Sequence, residues 1–153
     1  MRYFTMAWWR GIQEEPVGGG EAPGAAYQAH LEAVRDRLPP DLLATQESVS
    51  LHDTRLRELV LVPADGTLSI TLENFEGDER FTLLYSGVER FESGADPRAG
   101  AGLSGPAGYG DLGYTEADVL PGGTFEHRML FSTGIELAVV FRDLRLTRDP
   151  IGS

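Results

Sequence analysis

The chain has 153 residues and a net charge of −11, with 41% hydrophobic and 24% charged residues, a composition typical of one globular domain. It contains no cysteine, which excludes disulfides, thiolate metal sites and cysteine nucleophiles. All 13 basic residues are arginine, which excludes a Walker-type phosphate loop and a lysine Schiff base. The acidic balance argues against a nucleic-acid ligand; the acidic residues either keep the protein soluble or attract a basic protein partner.

The first 46 residues have the pattern of helices. Phe4, Trp8 and Ile12 recur at four-residue spacing and predict the apolar face of a first helix. Thr5 is available as its cap. Residues 14–24 are rich in glycine and proline, and we interpret them as a flexible linker. One apolar face then predicts a second helix: Tyr27, Leu31, Val34 and Leu38. The pair Pro39 and Pro40 ends this helix, and residues 41–46 have room for one more turn.

From residue 50 the hydrophobic period changes to two, which predicts an antiparallel sheet over residues 50–148. Six strands are predicted, at residues 51–62, 67–73, 81–85, 113–120, 124–132 and 135–146. Gly87 is interpreted as a bulge, and residues 93–110 as a long glycine-rich loop. We therefore predict a single α+β domain over residues 1–153. In it, a six-stranded antiparallel meander, either a curved sheet or a half-barrel, is packed by two N-terminal helices.

No segment has the pattern of a secretory signal or a membrane span. Residues 1–12 lack an uninterrupted apolar core and a small-residue cleavage site, and the longest later apolar run, residues 137–141, has five residues. We therefore expect a cytoplasmic protein that does not bind membranes. Residues 100–105 match the G-x-G-x-x-G string of dinucleotide sites, but Pro106 follows where that motif requires a helix, so we expect no dinucleotide cofactor.

The three histidines, His30, His52 and His127, are the first candidates for chemistry. His127 shares a predicted strand face with Phe125, Met129 and Phe131, which favours a buried, neutral imidazole. His52 and Asp53 open the first predicted strand, where adjacent side chains point to opposite faces, so we do not expect them to form one bidentate site. His52 would instead meet His127 or Glu126 across the sheet in an acid–base or metal site.

Loops held by a rigid sheet often carry binding residues, so Tyr109 and Tyr114, beside the glycine-rich loop, are further candidates. The predicted binding residues are His52, Asp53, Tyr109, Tyr114, Glu126 and His127. No residue is assigned as catalytic or as a metal ligand, and no cofactor is expected. The acidic residues at 73–79 cluster around a hairpin turn and are interpreted as its solvated tip.

Two parts of the chain resemble known bacterial proteins. Met1-Arg2-Tyr3-Phe4-Thr5 with a nearby Trp resembles the start of a family of unknown function whose members open with M-K-Y-F-T. Ser50-Leu51-His52-Asp53, Phe125-Glu126-His127 and Phe141-Arg142-Asp143-Leu144 resemble small β-rich proteins, among them immunity-like proteins encoded beside toxin genes. The glycine-rich linker and loop depart from this pattern, and the resemblance carries over no catalytic residue.

Three functions are compatible with these features. The first is a non-enzymatic binding module, an immunity-like partner of a basic protein. The second is a small hydrolase or metal-dependent enzyme that uses His52 and His127. The third is a small-molecule binder whose pocket lies between the sheet and the N-terminal helices.

Overall fold

The computed structural model describes residues 1–14, 21–95 and 109–152. The helices in these ranges are α1 (Met6–Glu14), α2 (Glu21–Val34) and α3 (Pro40–Glu47), with a 3-10 turn at Arg35–Arg37. The strands are β1 (Arg55–Val62), β2 (Thr67–Glu73), β3 (Glu79–Ser86), β4 (Arg90–Ala95), β5 (Leu112–Leu120), β6 (Thr124–Phe131), β7 (Ile135–Phe141) and β8 (Asp143–Pro150). The predicted linker lies partly, and the G-x-G-x-x-G string wholly, outside the described residues.

The predicted α+β class and the antiparallel pairing of the strands are confirmed, but the predicted single six-stranded meander is wrong. The described strands form two four-stranded sheets. The first sheet has the order β1-β2-β3-β8, and the second sheet has the order β4-β7-β6-β5. The segment predicted as one strand over residues 135–146 is divided into β7 and β8, which belong to different sheets. Strand β4 was not predicted, and α3 adds a third helix to the two expected.

Two bends lie side by side where the chain passes from one sheet to the other. Gly87, between β3 and β4, has a φ of +61°, and Arg142 separates β7 from β8. The Arg142 N–H donates to Ser86 O at 3.1 Å, and the Glu89 N–H donates to Val140 O at 2.8 Å. A Cβ atom on Gly87 would lie only 2.8 Å from the Cβ of Arg142. Gly87 therefore allows the two bends to approach closely, rather than forming a bulge within a strand.

The main core lies between the two sheets, which face each other. The first sheet contributes the alternate residues of β2 and β3, and all of these are buried: Leu68, Ile70, Leu72, Phe81, Leu83 and Tyr85. The second sheet contributes the facing residues of β6 and β7, including Met129, Phe131, Leu137, Val139 and Phe141. The rings of Tyr85 and Phe141 meet edge to face at 4.9 Å, which joins the two layers directly.

Helices α2 and α3 cover the edge of β5. The Ala117 N–H donates to the Tyr27 hydroxyl at 2.8 Å, and that hydroxyl donates to Gln46 Oε1 at 2.6 Å. His30 Nε2 lies 3.3 Å from Ala117 O, and Gln46 Nε2 donates to Thr115 Oγ1 at 2.9 Å. Side chains of the helices thus satisfy backbone groups that an edge strand would otherwise leave open to another chain.

Candidate functional site

His52 and Asp53 lie together in a tight turn before β1, which begins at Arg55 and not at residue 51. The Thr54 hydroxyl donates to Leu51 O at 2.7 Å, and the Asp53 N–H donates to Leu112 O at 2.8 Å. Asp53 has a φ of +64°, in the left-handed region that aspartate tolerates better than most residues. Because the chain turns here, His52 Nε2 lies 3.4 Å from Asp53 Oδ1. The prediction that the two side chains point to opposite faces is wrong.

The His52 ring has a fixed orientation but an open outer edge. Its Nδ1 lies 2.8 Å from the backbone oxygen of Gly113 at the start of β5. A carbonyl oxygen can only accept a hydrogen bond, so this contact places a proton on Nδ1. The His52 side chain is 54% exposed and that of Asp53 is 58% exposed. The remaining ring nitrogen, Nε2, therefore lies beside a carboxylate at the protein surface.

A groove of about 500 Å³ runs from this turn to the hairpin between β2 and β3, and we call it the acidic groove. Its lining is Ser48, Val49, Ser50, His52, Asp53, Thr54, Asn74, Phe75, Glu76, Glu79, Phe81 and Arg148. The Asn74 side chain orders the hairpin tip, since its Oδ1 accepts from the N–H groups of Asp78 and Glu79. This tip presents Phe75, 67% exposed and the most exposed large apolar side chain among the described residues.

The charges along the acidic groove are only partly neutralised. Arg148 donates to Glu79 at 2.9 Å, and its guanidinium lies 5.6 Å from the centre of the Phe81 ring. Asp53 has His52 as its partner. Among the described residues, Glu76 has no ion pair. The groove therefore combines an exposed aromatic ring with carboxylates that no arginine neutralises.

His127 lies in the core and not at a site. Its side chain is completely buried, on the inner face of β6 with Met129 and Phe131 as predicted. The Tyr85 hydroxyl lies 2.7 Å from Nδ1, while Nε2 is buried without a hydrogen-bond partner. Burial, and secondarily the positive charge of Arg128, lower the pKa of His127 to about 3. The structure does not bring His127 and His52 together, since one lies between the sheets and the other at the surface.

Sequence reasoning missed a buried charge cluster on the outer face of the second sheet. Glu116 on β5 is opposite Arg128 on β6, and the Arg128 Nε donates to Glu116 at 3.1 Å. The Glu116 carboxylate also accepts the backbone N–H groups of Arg2, Tyr3 and Phe4, at 2.7 to 2.9 Å. These bonds hold the N-terminal segment against the sheet. The backbone of residues 2–4 therefore has a structural role here.

Glu126, a predicted binding residue, belongs to this cluster. Its side chain is 9% exposed and accepts a short hydrogen bond from Arg128 Nη1, and Arg90 lies 3.5 Å away. Asp118 completes the group, 3.1 Å from Arg2 and 3.8 Å from Arg128. Opposite charges thus neutralise one another within the cluster. The signal for it was the cross-strand pairing of acids with an arginine, which becomes visible only once the register is known.

The two predicted tyrosines are packed against other rings. Tyr114 stacks on Phe4 at 4.9 Å, and Trp9 meets its edge at 5.2 Å. Burial, and secondarily the charge of Asp53, raise the pKa of Tyr114. Tyr109 lies against Phe131 at 5.4 Å. Tyr114 thus packs the N-terminal segment and α1 against β5, and Tyr109 packs against β6. Neither ring is therefore an adaptable loop contact.

A smaller cavity, of about 310 Å³, lies between the end of α3 and β5. It corresponds to the predicted pocket between helices and sheet, and Gln46, Thr115 and His52 are among its lining residues. In the described part of the chain, no group of three or more His, Asp or Glu side chains is placed to hold a metal ion. None of the described helices is long and apolar enough to cross a membrane.

The fold and the groove define an α+β protein with two facing antiparallel sheets and an acidic surface groove. No family model matches this chain, and no curated protein matches it. Among solved structures, the chain is similar to an uncharacterized protein from Neisseria gonorrhoeae, with a TM-score of 0.48 and 13% identity. That match covers 63% of this chain and 92% of the other.

Proposed function

We propose that this protein is a binding module that takes a basic segment of a partner protein into the acidic groove. The observation that carries this proposal is the exposed ring of Phe75 in the same groove as the carboxylates of Glu76 and Asp53. The Phe75 ring is 67% exposed and so can be contacted by a partner, and aromatic residues are frequent anchors at interfaces.

The chemistry of the groove fits an arginine or lysine side chain. A cation placed over Phe75 would gain a cation–π contact, and Glu76 or Asp53 would accept its N–H groups. The net charge of −11 would also attract a basic partner over a longer distance and accelerate association. The resemblance to immunity-like proteins makes a basic toxin the first partner to test.

The shape of the groove supports binding without a large rearrangement. The Asn74 hydrogen bonds hold the hairpin tip, and the Thr54 and Asp53 hydrogen bonds hold the opposite wall. A partner would therefore meet walls that are already ordered, which lowers the entropic cost of binding.

The test uses a fluorescently labelled octapeptide of alternating arginine and leucine as the probe. The variant is Phe75→Ser with Glu76→Gln, which removes the ring and one charge from the groove. The control is Leu84→Ser with Asp65→Asn, which removes one exposed apolar side chain and one charge away from the groove. We expect the groove variant to bind the probe at least tenfold more weakly in 150 mM salt, and the control to bind as the unaltered protein does.

Affinity capture from the native host, with both variants as baits, identifies the natural partner. A basic protein retained by the control and lost by the groove variant would support the proposal. Equal peptide binding by both variants would refute it, because attraction would then come from overall charge and not from the groove.

A further inference from the structure

The contact between His52 and Asp53 lacks a positive charge when the imidazole is neutral. The hydrogen bond to Gly113 O places the ring proton on Nδ1, so Nε2 carries a lone pair. The Asp53 oxygen that lies 3.4 Å from Nε2 is also an acceptor. Two acceptors at this distance are stabilised by a cation that both can bind.

The separation of the two atoms suits a metal ion. Zinc binds histidine nitrogen and carboxylate oxygen at about 2.0–2.2 Å in a tetrahedral arrangement, which separates two ligand atoms by about 3.3–3.6 Å. The observed separation of 3.4 Å falls within that range. Both side chains are more than half exposed, so an ion would reach them from solvent without opening the fold.

The surroundings resemble those of metal-binding histidines in a second way. Such histidines usually donate their other ring N–H to a backbone carbonyl or a carboxylate, which fixes the ring and its tautomer. Gly113 O has this role for His52. The Asp53 N–H donates to Leu112 O, which holds the Asp53 backbone in the turn. The histidine ring is thus oriented before any ion arrives, and the carboxylate lies next to it.

We propose that His52 Nε2 and the Asp53 carboxylate bind a divalent cation of the zinc class. Two positions of the tetrahedron would be filled by water or by donor groups of a bound partner. This site goes beyond the proposed protein-binding function and does not depend on it, since neither Phe75 nor Glu76 is needed to hold the ion.

A second histidine–aspartate contact in the same protein serves as an internal comparison. His30 Nε2 also lies 3.4 Å from an aspartate oxygen, that of Asp118. However, the same Nε2 lies 3.3 Å from Ala117 O, so it carries the proton and has no lone pair for a metal. Asp118 is in addition paired with Arg2 and Arg128. This contact should therefore not bind zinc.

The experiment is a zinc chloride titration of the full chain after treatment with a chelator, followed by NMR of the histidine rings and by calorimetry. We expect zinc to shift the ring resonances of His52 and to leave those of His30 unshifted. His52→Gln and Asp53→Asn should each weaken zinc binding at least tenfold, while His30→Gln should change it less than twofold. Asparagine tolerates a positive φ, so Asp53→Asn preserves the turn.

Magnesium provides a further control, because it prefers oxygen ligands and should not shift the His52 ring. Two results would overturn the proposal: a His52 ring unshifted by millimolar zinc, or zinc affinity unchanged in both His52→Gln and Asp53→Asn. The variant Phe75→Ser with Glu76→Gln should bind zinc as the unaltered protein does. A negative result in the peptide-binding test would therefore not affect the zinc proposal. A negative result in the zinc titration would likewise not affect the proposed peptide binding.

Discussion

The buried carboxylate of Glu116 should be among the most important single side chains for stability. It is completely buried, and it accepts three backbone N–H groups of the N-terminal segment in addition to the Arg128 guanidinium. Glu116→Gln preserves the volume but removes the charge. The amide also replaces one acceptor oxygen with an NH2 group that cannot accept, so part of the donor set loses its partner.

The expected loss is about 3 kcal/mol in the free energy of unfolding. Removing one partner of a buried ion pair costs about 3–5 kcal/mol, because the other charge remains buried. Arg128 keeps the Glu126 and Asp118 carboxylates, and the freed N–H groups can reach water if the N-terminal segment detaches. Both effects favour the lower end of this range.

Urea unfolding measures the loss, and amide hydrogen exchange locates it. We expect the Tyr3 and Phe4 amides to lose protection from hydrogen exchange in Glu116→Gln. The protection of the β2 amides should fall only by the amount that the global stability falls. The matched control is Glu89→Gln. Glu89 forms a surface pair with Arg142 at 2.9 Å, with both side chains about half exposed. Such a pair is worth no more than about 1 kcal/mol.

The pH dependence gives a second measurement of the same group. Burial alone would raise the pKa of Glu116, but the backbone N–H groups of Arg2, Phe4 and Tyr3 and the charge of Arg128 lower it overall. The stability from this carboxylate is therefore present above the ordinary value of 4.5 and is lost as the pH falls through the lower folded pKa. The difference between the unaltered protein and Glu116→Gln should shrink below pH 4.5. A cost equal to that of Glu89→Gln, with Tyr3 still protected, would refute this reasoning.

Two further substitutions test the core and the bends. His127→Phe leaves the Tyr85 hydroxyl buried without its partner and should cost about 1–3 kcal/mol in urea unfolding, whereas adding Tyr85→Phe should restore most of the loss. Because the folded pKa of His127, about 3, lies below the unfolded value of 6.5, the unaltered protein should lose stability as the pH falls from 6.5 towards 3, and His127→Phe should reduce that slope. A double variant as unstable as His127→Phe would contradict this account. Gly87→Ala should cost about 2 kcal/mol or more, since φ is +61° and the new Cβ would meet Arg142 at 2.8 Å, while Gly94→Ala, with nothing within 4 Å, is the control.

The strands that alternate regularly could be predicted from the sequence. Strand β2, at Thr67–Glu73, has the predicted bounds because its apolar residues alternate without interruption. The bends at Gly87 and Arg142 shift the alternation of apolar residues in the sequence, and such a shift has more than one structural interpretation. The inward residues of β7 occupy odd positions up to Phe141, and those of β8 occupy even positions from Leu144, so the phase slips by one residue between β7 and β8. A slip of this kind is produced both by a bulge and by a passage between sheets, and sequence alone does not separate them.

The features that sequence reasoning missed depend on contacts between distant residues. Strand β4 has one large apolar residue, Phe91, and its pairing with β7 joins residues 40 to 50 positions apart. The partners Glu116 and Arg128 become neighbours only through the register of β5 and β6. The turn at Asp53 depends on a left-handed backbone conformation that Leu112 O stabilises, and no local pattern predicts that bond.

The carboxylates of the acidic groove differ from those of the second sheet in how far opposite charges neutralise them. The carboxylates on the second sheet are neutralised, since Arg128 and its neighbours pair with them and the N-terminal segment covers them. Neutralised charges contribute to stability and have little effect on partners. In the acidic groove, Asp53 lies beside His52, and Glu76 has no arginine partner among the described residues. Neutralising Glu76 should therefore slow association with a basic partner without lowering stability, whereas neutralising Glu116 should do the reverse.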